Sequence, residues 1–258
     1  MFRYAFISDI HGNILALEAV IENILNEGIP LKNIYCLGDL VGYGPNPNEV
    51  IKFIRDRRIK TIMGNYDEAV GFYLPSCGCK LNSIRDKDWM HNSLNISSKL
   101  TSEENKEFLR ELEESMLIEI NGYSILLVHG SPFSIVEYVY EDNIEAQEAI
   151  LDELDVDAVF FGHTHFPYIK KINDMTLINT GSVGRPKDRD NRAGYVIGNF
   201  ENELSFEIRR VEYDVFEMDR RLKESEFLDV FGDILLCGCT DFDLEEGTVM
   251  ACQCDLKL

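Results

Sequence analysis

Phe2-Arg3-Tyr4-Ala5-Phe6-Ile7-Ser8-Asp9-Ile10-His11-Gly12-Asn13 is the stretch on which the reading of the chain turns. An apolar run the length of one strand, Phe2 to Ser8, breaks on an acidic residue, and an imidazole follows two positions later. From Asn13 to Glu27 the period changes. Ile14, Leu17, Ile21 and Ile24/Leu25 recur at helical spacing, and Gly28 suits the stop. The same unit then repeats: Asn33–Leu37 reads as a strand, Pro47–Arg57 as a helix and Lys60–Met63 as a third strand. Ser102, followed by two Glu residues, caps a helix expected to run to about Glu114. Strand and helix in alternation predict a layered α/β sheet.

From Met116 the rhythm shifts to hairpins. Met116–Ile120 and Tyr123–Val128 flank Asn121-Gly122, a strong two-residue turn signal. A helix from about Ile144 to Glu153 leads into the apolar run Ala158–Phe161, and further hairpins turn at Asn173-Asp174 and Glu201-Asn202. Asp214 to Glu224 reads as helical. This order suits two β-sheets packed together and flanked by helices. At 258 residues the chain is shorter than two average domains. Residues 1–225 are expected to form one domain with an insertion, a candidate lid, at about 68–115, and the Cys-bearing residues 226–258 a small separate appendage.

With 45% hydrophobic and 28% charged residues the chain can bury a core, which excludes disordered and collagen-like classes. No apolar run approaches the roughly 18 residues of a membrane span. The start lacks the long apolar region and small-residue cleavage site of a secretory signal, so a cytoplasmic protein without membrane contact is expected. The net charge of −21 argues against general nucleic-acid binding, although metal ions or a few Arg residues can reverse the sign locally. Six of the seven cysteines fall in Cys-x-Cys pairs: Cys77/Cys79, Cys237/Cys239 and Cys252/Cys254. Reduced thiols, a bound metal and a disulfide all remain open for them. The sequence leaves the oligomeric state undetermined.

The chemistry-bearing residues sit where strands end. Asp9 and His11 follow the first strand, Gly38-Asp39 the second, and Gly64-Asn65-Tyr66-Asp67 the third. His129 ends Ser124–Val128, and His163 and His165 end Ala158–Phe161. Ligands gather beyond the carboxyl ends of strands in open α/β sheets, so these five loops can converge. Taken singly, each has an ordinary reading: Asp9 as a cap, His129 as a hydrogen-bonded core residue, Gly38-Asp39 as a turn. The set carries the signal. Carboxylate, amide and imidazole without thiolate suit Mn, Fe, Zn, Ni or Co rather than Ca. Seven such ligands exceed the needs of one ion and suit two ions sharing a carboxylate, an arrangement that clamps a phosphoryl group and activates a water.

These blocks, Asp9-x-His11, Gly38-Asp39, Gly64-Asn65-x-Asp67, Val128-His129-Gly130 and Gly162-His163-Thr164-His165, resemble in order the calcineurin-like metallophosphoesterase superfamily, in the style of its small prokaryotic YfcE-like members. The resemblance implies a four-layer α/β/β/α sandwich of two mixed β-sheets flanked by helices. It also implies a dinuclear centre of two divalent or trivalent transition-metal ions. By position, Asp9, His11 and His165 would hold one ion, Asn65, His129 and His163 the other, and Asp39 would bridge them. The implied activity is hydrolysis of a phosphomonoester, phosphodiester or nucleotide by a metal-activated hydroxide. The alternative is a catalytically weak scaffold on the same fold, like the retromer subunit of the superfamily.

Two positions depart from the family pattern. Tyr66 stands where most members carry a His that serves the leaving group. A phenol with an ordinary pKa near 10 donates a hydrogen bond but is a poor general acid at neutral pH. Slow hydrolysis of esters with poor leaving groups is therefore expected, with better rates for aryl or phosphate leaving groups. Asp67 either orients Tyr66 or caps the next segment. Tyr43 occupies the position of an Arg that grips phosphate in the protein-phosphatase branch. Downstream, Asn179-Thr180-Gly181-Ser182-Val183-Gly184-Arg185-Pro186 resembles the family's Gly-Ser-Val-Gly loop and opens a basic run of Arg185, Lys187, Arg189 and Arg192. Arg185, with Gly184 and Asn13, is the expected substrate contact, against the alternative of a solvated loop. His91 is either a substitute donor or an ordinary surface or core histidine.

Overall fold

The computed structural model describes residues 2–80, 83–201 and 203–240. The first sheet is built from β1 (Arg3–Ile7), β2 (Ile34–Cys36), β3 (Lys60–Thr61), β9 (Ala193–Phe200) and β10 (Leu204–Val211), in the order β10-β9-β1-β2-β3. β1, β2 and β3 are parallel, whereas β9 runs antiparallel beside β1 and β10 antiparallel to β9 at the edge. The second sheet takes β4 (Ser115–Ile120), β5 (Tyr123–Val128), β6 (Ala158–Phe161), β7 (Tyr168–Ile172) and β8 (Met175–Asn179), in the order β4-β5-β6-β8-β7. Here β5, β6 and β8 are parallel, and β4 and β7 close the edges antiparallel.

Strand alternation makes the layers. Phe6, Tyr35 and Leu37 of the first sheet face Ile125, Leu127, Ala158, Phe160 and Ile178 of the second in one buried cluster. The Phe6 and Phe160 rings stack across it at 3.8 Å. The intervening residues point outward. Ala5, Ile7, Ile34 and Cys36 pack on α1 (Ile14–Asn26) and α2 (Pro47–Asp56), while Val128, Val159, Phe161 and Leu177 pack with Ile150 of α6 (Ile144–Glu153). Period-two side chains thus give each sheet one face to its partner sheet and one to helices. This is the expected four-layer sandwich.

Several elements differ from expectation. α5 (Glu103–Arg110) is shorter than the helix expected to Glu114, although Ser102 accepts from Asn105 N as its cap. The 68–115 insertion is largely helical. α3 (Asn65–Gly71) and α4 (Ile84–Leu100) carry Val70, Met90 and Leu94 into the same core as β1. Helical periodicity in α4 is masked by its polar content. Residues beyond 225 begin with packed structure: α8 (Val230–Cys237) buries Phe231, Ile234 and Leu235 against Met218 and Leu222 of α7 (Val215–Lys223). Asn202 of the expected Glu201-Asn202 turn, and Cys252 and Cys254, lie outside the described residues. No helix among the described residues is long and apolar enough to cross a membrane.

Candidate metal centre

The turn after β1 is zipped to the loop after β2. Asp9 N donates to Gly38 O at 3.0 Å, and His11 N to Asp39 O at 2.9 Å. The loop after β8 closes from the other side, with Val183 N donating to Ser8 O and Gly184 N to Asp9 O, both at 2.9 Å. The second sheet joins through His163 N, which donates to Asp9 Oδ2 at 3.0 Å. Loops from both sheets therefore converge as expected. Asp9, His11, Asp39, His163 and His165 all adopt positive φ, at 54°, 48°, 55°, 60° and 64°. Left-handed backbone at such residues costs about 1–3 kcal/mol each and clusters at functional sites. The close approach requires glycine at 162, where a Cβ would lie 2.1 Å from Ser8 Oγ and 2.4 Å from Asp9 Oδ2.

The imidazoles are fixed by backbone carbonyls. Nδ1 of His11 faces Val41 O at 3.0 Å, Nδ1 of His129 faces Leu37 O at 2.7 Å, and Nδ1 of His165 faces Arg185 O at 2.5 Å. A carbonyl accepts only, so each Nδ1 carries the proton and each Nε2 presents a lone pair. Those lone pairs point at one another and at oxygen. His11 Nε2 lies 3.2 Å from His165 Nε2, which lies 3.2 Å from Asp9 Oδ1. His129 Nε2 lies 3.0 Å from Asn65 Oδ1, whose orientation is set by Asn65 Nδ2 donating to Cys77 O at 2.8 Å. Asp39 Oδ1 accepts from Tyr66 N at 2.8 Å, leaving Oδ2 3.6 Å from His11 Nε2 and 3.5 Å from His129 Nε2. The His163 ring sits 5.2 Å from that of His129, and its Nε2, like Asp9 Oδ1, is buried without a hydrogen-bond partner.

Burial pushes all four imidazoles below their ordinary range, His11 and His163 furthest, so they are neutral at pH 7. Burial alone would raise the Asp9 carboxyl; a proton on His165, His129 or His11 is what holds it low. Burial, and then the charges of Asp9 and Asp67, push the Asp39 carboxyl well up. The result is a buried cluster in which the Nε2 lone pairs of His11, His129 and His165 face Asn65 Oδ1 and Asp9 Oδ1, beside an Asp39 carboxyl that burial favours in its protonated form. Such a cluster is costly without a cation and fits one closely. Two groups have ligand atoms near enough to share an ion: Asp9, His11 and His165, and Asp9, Asp39 and His129. The donors are nitrogen and oxygen, so the site fits a transition-metal ion of the expected class.

Above this floor opens a cavity of about 370 Å³. His11, Asp39, Asn65, His163 and His165 reach it, and its wall carries Tyr66, Trp89, Tyr138, Tyr140, Lys80 and Lys187. Tyr66 is only 1% exposed, its ring edge-on to His11 at 5.6 Å. Burial drives its phenol well above the ordinary value, so it stays protonated and acts only as a donor.

Of the two readings of Asp67, the structure shows the cap: its carboxylate accepts from Gly64 N at 3.0 Å at the start of α3 and from Leu40 N at 2.9 Å, which pins the Asp39 loop to α3. Its contacts are to backbone, so it positions the candidate ligand Asp39. Arg185 is buried, with its guanidinium 4.0 Å over the Tyr43 ring, and it lines a small cleft that shares His11 and Tyr43 with the cavity. Asn13 and Gly184 serve the framework: Asn13 Oδ1 caps α1 through Ala16 N, and Asn13 Nδ2 donates to Gly184 O at 3.0 Å. His91 is absent from the cavity lining.

Sequence reasoning missed Lys80, Trp89, Tyr138 and Tyr140, which reach the cavity from loops and a helix that carry no spacing signal. It also missed Asn179, whose Nδ2 donates to Gly162 O at 2.7 Å and Thr164 Oγ1 at 3.0 Å and so braces the His163/His165 loop. Its position at the head of the quoted Gly-Ser-Val-Gly stretch was the available clue.

Fold and site together define an α/β sandwich protein with a buried set of potential metal ligands at its strand ends. Residues 2–203 match the calcineurin-like phosphoesterase superfamily domain, and the chain belongs to that superfamily. It is 34% identical over 254 residues to an uncharacterized protein of Methanocaldococcus jannaschii, covering 91% of this chain and 97% of that one. In fold it is similar to a hypothetical protein of Pyrococcus horikoshii (TM-score 0.80, 26% identity). It is also similar to a metallophosphoesterase of Sphaerobacter thermophilus (TM-score 0.71, 28% identity). Each structural match covers 92% of this chain and 99% of the other.

Proposed function

We propose that the protein is a dinuclear metal-dependent phosphohydrolase acting on a small phosphate ester: a monoester, a diester or a nucleotide. The observation that carries the reading is the lone-pair cluster, in which Nε2 of His11 and of His165 stand 3.2 Å apart with Asp9 Oδ1 beside them. Asp9, His11 and His165 would hold one ion, Asn65, His129 and His163 the other, and Asp39 both. The nearly equal distances from Asp39 Oδ2 to His11 and His129 support that bridging role. When bound, the two ions supply a nucleophilic water at neutral pH and a positive field for the phosphoryl oxygens.

The chain's own side chains do the rest. The His11, His129 and His165 imidazoles, tied by Nδ1 to backbone, keep their lone pairs aimed without reorganisation. Lys187 and Lys80 are the cationic side chains of the wall and neutralise ester charge outside the floor. Tyr66 donates a hydrogen bond but holds its proton, so departure of a basic alkoxide is slow. A cavity of about 370 Å³ lined by tyrosines and Trp89 suits a small organic ester and is small for a folded phosphoprotein segment.

The test is hydrolysis of p-nitrophenyl phosphate and of its bis ester with Mn(II), Zn(II), Ni(II) or Co(II) added to the apo protein. Metal-dependent turnover abolished by a chelator is expected. Full metal occupancy without turnover on any ester would instead favour the scaffold reading.

A further inference from the structure

The thiols of Cys77 and Cys79 play no part in the reading above, yet they stand at its edge. Their Sγ atoms lie 3.0 Å apart, and both cysteines are free. Gly78, at φ +74°, turns the chain so that the two thiols converge. A disulfide needs S–S near 2.05 Å, so an approach of about 1 Å closes the bond. The pair is asymmetric in access. Cys79 lines the cavity, whereas Cys77 is 3% exposed. It is also tied to the floor, because Asn65 Nδ2 donates to Cys79 Sγ at 3.2 Å as well as to Cys77 O. That shared amide is what turns Asn65 Oδ1 toward His129.

We propose that Cys77 and Cys79 form a reversible dithiol–disulfide site whose oxidation loosens Asn65 and weakens the ion that Asn65, His129 and His163 would hold. The coupling rests on the dinuclear reading; the oxidation itself does not. The oxidant is a peroxide. The Cys79 sulfur attacks one peroxide oxygen and the O–O bond breaks, giving a sulfenic acid and one water. The Cys77 sulfur then attacks the Cys79 sulfur, the S–O bond breaks, and the second water leaves. Two thiols and one hydrogen peroxide become one disulfide and two waters. Closing the bond draws Cys79 Sγ away from Asn65 Nδ2. A ligand that loses its orienting partner typically costs 10–100-fold in metal affinity.

The experiment oxidises metal-free protein with hydrogen peroxide, removes the peroxide, maps disulfides by mass spectrometry and titrates with Mn(II) by calorimetry. Reduced protein should take up two ions. Oxidised protein should carry a Cys77–Cys79 link and bind its second ion at least about tenfold more weakly, with dithiothreitol restoring both. Cys77→Ser and Cys77→Ala should show reduced-state affinities before and after peroxide. Absence of the 77–79 link overturns the dithiol site. A link with both affinities unchanged overturns the coupling and leaves the dinuclear reading standing. Reduced protein that binds fewer than two ions ends that reading, and the coupling with it.

Discussion

The floor of the cavity and its wall are built in opposite ways. On the floor, Asp9, His11, Asp39, His129, His163 and His165 sit within a few residues of a strand end, and their backbones or rings are bonded to other loops. Five of those six hold left-handed backbone. On the wall, Lys80, Trp89, Tyr138, Tyr140 and Lys187 arrive from connecting loops and a helix, and they contribute side chains alone. The difference teaches where rigidity is spent. Ligand geometry is fixed by the two sheets, and what touches the organic part of a substrate is left to segments that can vary without moving it.

Substitutions should separate the two regions by size and kind of effect. On the floor, His129→Ala removes a proposed ligand and should lower metal affinity and kcat/KM by at least about a hundredfold, measured by calorimetry and ester hydrolysis. Asp67→Asn touches no substrate, yet it loosens the Asp39 loop. A loss of about 10–100-fold in Mn(II) affinity, with kcat partly recovered at saturating metal, would mark it as a positioning residue. Retained affinity would mean that the pinning of Leu40 and Gly64 is idle.

Tyr66→His lies at the seam between the regions. It should raise the rate on alkyl phosphates by about tenfold and leave aryl esters nearly unchanged, because only a basic leaving group needs a proton. Equal change on both classes would mean that a proton-donor deficit is the wrong explanation. On the wall, Lys187→Ala should raise KM by about threefold at low salt, with kcat held and the difference fading as salt screens it. A fall in metal affinity there would erase the distinction drawn between wall and floor.

Legibility in the sequence follows the same line. The sheets were readable because strands with both faces buried are apolar runs such as Ala158–Phe161, and hairpins announce themselves at Asn121-Gly122. The floor was readable because strand ends are fixed sequence positions, so Asp9, Asp39 and His163 could be assigned to one place before any coordinates. Helix α4 was not, since its polar residues hide the few that pack. The burial of Arg185 was not legible, because nothing nearby in sequence signals that its guanidinium stacks on Tyr43. The wall escaped for a similar reason. Residues 80, 138 and 187 meet only through tertiary packing.

The account stands on two cations lodged among lone pairs that otherwise face one another with nothing between. The most direct measurement is anomalous diffraction from a crystal soaked in Mn(II) after chelator treatment. Two peaks are predicted, one against Asp9, His11 and His165 and one against Asn65, His129 and His163, with Asp39 touching both. Full Mn(II) in the soak with no peak at these side chains would contradict it.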